Sequence, residues 1–130
     1  MDEKDYGMIH DVFSWDRSLD ADRVSMISGF QVFQGDPDPV AGSPHVLARS
    51  PAIALYERNF AEGGGENGLH SHDDEAIWIV LSGRATFFAA GGSPLGDLGP
   101  GAGVLVPAGT SYRFACSEPT SMMRVAAKPT

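Results

Sequence analysis

A chain of 130 residues fits one domain, and that length can bury a substantial core without covalent staples. The single cysteine excludes an internal disulfide. No apolar run approaches the ~20 residues of a membrane helix, the charged start, Met1 to Asp5, is unlike a signal peptide, and a cytoplasmic address is the default. A net charge of −8 with few, scattered Lys and Arg repels phosphate polymers, so nucleic acid is excluded as the expected partner.

Sixteen glycines and nine prolines cut the chain into short runs, the pattern of an all-β sandwich or barrel. Residues 1–22 read as an N-terminal arm and residues 23–130 as the barrel. The arm carries His10 and the aromatics Tyr6, Phe13 and Trp15, and is expected to cover one barrel end or reach a second subunit. From Val24 to Gln34 one or two strands are predicted. Gly35 to Pro44 is turn chemistry throughout, too long for a hairpin, and reads as a loop over the barrel mouth. His45 and Arg49 follow; His45 reads as a surface or satisfied histidine, with a site role as the alternative.

Ala52 to Phe60 alternates as a strand, with Ala54, Tyr56 and Arg58 on one face and Ile53, Leu55, Glu57 and Asn59 on the other. Glu62 to Gly68 reads as a glycine-rich turn; it lacks Gly-Lys-Ser/Thr, so it is no phosphate loop. His70 and His72 then sit two apart at the entry to an apolar run, Ala76 to Leu81. Strand alternation points both imidazoles the same way, where they can share a metal ion or a substrate. Asp73, Asp74 and Glu75 form an acidic knuckle, either a solvated turn or a source of a carboxylate for the histidines. Arg84 to Ala89 is the return strand, Ala90 to Gly96 a turn, and Val104 to Val106 a buried strand. Tyr112 to Phe114 follows a Pro-x-Gly turn. Ser121 to Ala127 closes the sheet, with Met122, Met123 and Val125 packing. Cys116, with no base beside it, reads as a small core or rim residue.

Two stretches together resemble the paired motifs of the cupin superfamily. Gly64, His70, His72 and Gly83 fall on G-x5-H-x-H-x3,4-E-x6-G, and Gly101, Pro107 and Gly109 fall on G-x5-P-x-G-x2-H-x3-N. The resemblance implies a single-domain cupin-like β-barrel, a jelly-roll or double-stranded β-helix, assembled as a homodimer. This chain departs from the motifs at three positions. Ala76 stands where the family has its glutamate, Tyr112 where it has the third histidine, and Cys116 where it has an asparagine. Glu75 has outward parity and turns in only with a β-bulge.

On the implied fold, His70, His72, Ala76, Trp78, Val80, Tyr112 and Phe114 face inward. Three functions are open. A divalent ion (Fe, Mn, Ni or Zn) held by His70 and His72, completed by Glu75, Tyr112 or water, makes a metal-dependent oxygenase, isomerase or lyase. His72 and Tyr112 as an acid–base pair make a metal-free isomerase, epimerase or cyclase. The same interior without chemistry holds a metabolite. In each case the expected partner is a small organic molecule, contacted by Trp78 and Phe114 and by Tyr56 and Arg58 where their face of the strand looks inward, the alternative being that those two sit outside.

Overall fold

Alternation of apolar residues with glycine and proline turns produces short strands throughout. The structure, a computed structural model, describes residues 19–20, 23–42 and 44–127; His10, Tyr6, Phe13 and Trp15 of the arm lie outside them. Eleven strands and no helix occur among the described residues: β1 (Val24–Ile27), β2 (Phe30–Phe33), β3 (His45–Arg49), β4 (Ile53–Phe60), β5 (Gly65–His70), β6 (Glu75–Ser82), β7 (Ala85–Ala89), β8 (Pro94–Leu98), β9 (Gly103–Val106), β10 (Tyr112–Cys116) and β11 (Thr120–Ala127). They form a four-stranded sheet in the order β5-β10-β7-β8, a five-stranded sheet in the order β3-β4-β11-β6-β9, and a separate hairpin, β1-β2. All pairings are antiparallel. The non-consecutive strand order is that of a jelly-roll, or double-stranded β-helix.

The period of two sets the core. β6 buries Ala76, Trp78 and Val80 and exposes Glu75, Ile77 and Leu81. β10 buries Tyr112, Phe114 and Cys116. Between the sheets Phe87 and Phe114 stack at 4.6 Å between centroids, and Trp78 and Phe60 meet Phe114 at 5.1 and 5.3 Å. Such pairs contribute about 0.5–1.5 kcal/mol each beyond the area they bury.

Four expectations need correction. The turn at Glu62 to Gly68 ends early, and β5 begins at Gly65. A Cβ there would lie 2.6 Å from the Phe114 carbonyl oxygen, so glycine lets β5 press against β10 rather than loop away from it. The turn after β7 is also shorter than expected. Ala89 N–H donates to Ser93 O, and β8 starts at Pro94, whose missing N–H is tolerated on an edge strand. In β9 only Val106 is buried, because the strand is a sheet edge with one face outside. In β11 Met122 is buried, while Met123 and Val125 are half-buried on the outer face, and the inner position between Met122 and Ala126 belongs to Arg124. The loop from Gly35 is tied to the outward face of β4, where Asp36 N–H donates to Glu57 Oε2 at 2.9 Å and Arg23 bridges Asp36 and Glu57.

Gly83, at the reversal from β6 to β7, has φ +84° and leaves no room for a side chain: an added Cβ would lie 2.2 Å from Pro119 O. Gly83→Ala is expected to lower the unfolding free energy by roughly 2–4 kcal/mol through backbone strain and overpacking. Urea denaturation reads this against Gly91→Ala, where nothing lies within 4 Å. Equal midpoints for the two variants would refute the steric account.

Candidate metal centre

β5 runs in twos: Glu66, Gly68 and His70 are buried, Asn67 and Leu69 exposed. The strand ends at His70, and His72 lies buried just beyond it. The Pro107–Gly109 turn holds that segment, since Gly109 N–H donates to His72 O at 2.7 Å. Tyr112 lies opposite His70 in the β10–β5 pairing. The histidine stretch and the Pro-x-Gly stretch therefore meet at one place.

The imidazoles of His70 and His72 lie 5.1 Å apart at 80°, and the Tyr112 ring lies 4.3 Å from His70 and 6.1 Å from His72. His70 Nε2 is 2.8 Å from Glu66 Oε1. One ligand atom each from Glu66, His70 and His72 fall within 4.8 Å of one another, all on buried residues. Arg58 Nη1 donates to Glu66 Oε2 at 2.9 Å, so the two carboxylate oxygens have different neighbours. His70 Nδ1 lies 3.0 Å from Gly68 O. A metal-bound histidine ordinarily donates its other ring N–H to a carbonyl or carboxylate, the place that Gly68 O takes beside Nδ1.

Burial by itself would raise the Glu66 carboxyl, but the His70 hydrogen bond and the charges of Arg58 and His70 outweigh it and hold the group at about 2. Glu66 is thus an anion at neutral pH. Burial, with the Glu66 charge added, pushes the Tyr112 phenol up, against smaller opposing effects of Arg124 and Trp78. It keeps its proton at neutral pH while accepting a hydrogen bond from Trp78 Nε1 at 3.1 Å. Burial likewise pushes the Cys116 thiol up, which disfavours a thiolate nucleophile there.

The sequence reading offered Glu75 as the carboxylate beside the histidines. Its side chain is exposed on the outer face of β6, which pairs without a bulge at that position, and Glu66 stands beside the imidazoles instead. The signal for Glu66 is its parity, since 66, 68, 70 and 72 step in twos. The knuckle's Asp74 is buried too, but it binds Arg124 (Nη2 to Oδ1, 2.7 Å) and not the histidines. Tyr56 and Arg58 are buried on the inward face of β4, Trp78 is buried against Tyr112, and Phe114 belongs to the aromatic stack. His45 is apart from this cluster, with Nδ1 2.6 Å from Asp20 and Nε2 3.4 Å from Arg23.

Comparison with known proteins follows the same lines. A cupin domain model matches residues 57–126, more than half of the chain. No curated protein matches the sequence. Among solved structures, an RmlC-like cupin from Desulfovibrio desulfuricans aligns over 91% of this chain and 95% of its own, at 16% identity and a TM-score of 0.59. KdgF from Halomonas sp. aligns over 67% and 78%, at 19% identity and a TM-score of 0.61. A cupin superfamily protein from Desulfitobacterium hafniense aligns over 65% and 74%, at 20% identity and a TM-score of 0.58. These likenesses concern the fold. With the domain model spanning β4 to β11 and both motif stretches converging on His70 and His72, the chain belongs to the cupin domain family.

Proposed function

We propose that this cupin is a small-molecule enzyme whose divalent cation is held by Glu66, His70 and His72. The observation that carries the reading is their buried cluster, with ligand atoms within 4.8 Å of one another. Two imidazoles and a carboxylate suit Fe, Mn, Ni or Zn and leave coordination positions for a substrate. When bound, the cation supplies Lewis-acid polarisation of a substrate oxygen.

The chain's own residues do the rest. Gly68 O fixes the His70 tautomer from the far side of the ring. Arg58 holds one oxygen of Glu66 and fixes its rotamer. Tyr112 retains its proton, and Trp78 donates into its oxygen, so the hydroxyl proton is available to a ligand oxygen. Tyr56 and Arg58 face the polar groups of the substrate, and Trp78 supplies an apolar wall. The substrate is a small organic molecule with an oxygen donor. Oxygenase, isomerase and lyase chemistries all fit such a centre. The metal-free alternative, with His72 and Tyr112 as an acid–base pair, requires a phenol that releases its proton readily, and both burial and Glu66 oppose that.

Titration of Mn or Zn into chelator-treated protein tests the reading. Glu66→Gln is expected to weaken binding about 100-fold, while Glu75→Gln leaves it unchanged. Equal affinities for wild type and Glu66→Gln would remove Glu66 from the centre.

A further inference from the structure

The outer face of the five-stranded sheet is apolar over much of its length, where Leu55, Val125, Ile77 and Leu105 form one cross-strand row over β4, β11, β6 and β9. One end differs. Asn59 of β4 and Ser121 of β11 are register partners, and so are Ser121 and Ser82 of β6. The second pairing needs a β-bulge. Met122 pairs with Val80, so a regular ladder would set Leu81 opposite Ser121; the register slips there, and Ser82 takes the place. A bulge re-aims side chains, and this one lays three polar residues across three strands. The row lies at the opposite end of β6 and β11 from the turn after His72, and so apart from the metal centre.

The loop from Gly35 passes beside this row. It is tied at one end by Asp36 N–H to Glu57 Oε2, and at the other by Gly42 N–H to Asn59 O at 3.4 Å. Between the ties, Pro39 and Ala41 wall a cavity of about 330 Å³ that Asn59, Ser82 and Ser121 also line. That volume is in the range of small-molecule sites. The polar groups of the cavity are fixed but not used up. Asn59 is buried; its Nδ2 donates to Glu57 Oε1 at 3.1 Å, and its Oδ1 accepts from Ser121 Oγ at 2.6 Å. That leaves one amide hydrogen on Asn59 and the oxygen lone pairs of Ser121. Among the described residues, neither the Ser82 hydroxyl nor the Glu62 carboxylate, which also lines the cavity, makes a hydrogen bond.

We propose that this cavity is a second binding site, separate from the metal centre, for a neutral polyhydroxylated ring of the size of one sugar unit. The uncommitted groups select the class. A hydroxyl both donates and accepts, so a ring of hydroxyls answers an amide N–H, two serine oxygens and a carboxylate together. No cation lines the cavity, and the chain carries a net charge of −8, so an anion is disfavoured. An ammonium ion answers Glu62 alone and meets the Asn59 N–H donor to donor. Phe60, Pro39 and Pro119 supply apolar surface for the C–H faces of the ring.

Amide NMR of the isotopically labelled full chain tests this, with D-glucose, D-galactose, D-mannose and myo-inositol as probes. At least one is expected to move the signals of Asn59, Ser82 and Ser121 saturably, with a Kd on the order of 1–10 mM, while those of His70 and Gly109 stay in place. Ser82→Phe, at an exposed position, fills the cavity, and Asn59→Leu removes its buried amide. Each is expected to weaken binding at least about tenfold. Ser82→Phe is expected to keep the wild-type spectrum elsewhere, so its result stands if Asn59→Leu fails to fold. Chelator treatment is expected to leave the titration unchanged. Probes that give no saturable shift up to about 100 mM overturn the proposal; so does binding that survives Ser82→Phe. Binding lost on chelation, or shifts centred on His70, would place the ligand in the barrel interior and overturn it as well. Methylammonium binding here in place of every neutral probe would make this a cation site, and the proposal fails.

Discussion

Arg124→Leu is expected to destabilise the fold by roughly 3–5 kcal/mol, because it strands the Asp74 carboxylate in the interior. Arg124 is fully buried on β11, and Asp74 is nearly so; the guanidinium reaches both carboxylate oxygens, at 2.7 and 3.5 Å. The same guanidinium lies about 6 Å from the ring centres of Trp78 and Tyr56. The gross attraction of such a pair is largely offset by desolvation, so the pair itself adds little net stability. The large cost comes from removing one partner. Arg124→Leu/Asp74→Asn is therefore expected to recover part of the loss, since no ionised group is left buried. Urea denaturation of wild type, single and double variants measures this. A single variant within about 1 kcal/mol of wild type would mean that the carboxylate finds water or another cation.

His70→Ala/His72→Ala is expected to lower affinity for Mn or Zn at least about 1,000-fold, leaving Glu66 as the one remaining ligand of the three. The two rings come from the end of β5 and the segment just after it, so their loss leaves the sheet pairings in place. A circular dichroism spectrum that matches wild type separates loss of ligands from loss of fold. Affinity that survives the double change would place the cation elsewhere.

Much of this architecture was legible in the sequence, and the reason is parity. His70, His72, Ala76, Trp78 and Val80 step in twos, as do Tyr112 and Phe114, and every one of them is buried, although β5 and β6 belong to different sheets. Parity also argued against Glu75, whose exposure shows that β6 has no bulge to turn it inward. The failures arise where a residue type hides its environment. Glu66 sits in a run of glycines that looks like a turn, and only the close approach of β10 makes it a strand. Arg124 follows two methionines that invite an apolar reading of the strand, and its burial depends on Asp74, fifty residues away in sequence. Such pairing between residues distant in sequence leaves no local pattern. The outward apolar row Leu55, Val125, Ile77 and Leu105 was hidden for the same reason, because register alone joins residues from four strands.

Elemental analysis of the protein as purified, beside His70→Ala/His72→Ala, tests the metal centre most directly. The expected result is about one equivalent of Fe, Mn, Ni or Zn in wild type and none in the double variant. A wild-type protein that carries no metal and takes up none on titration would contradict the account.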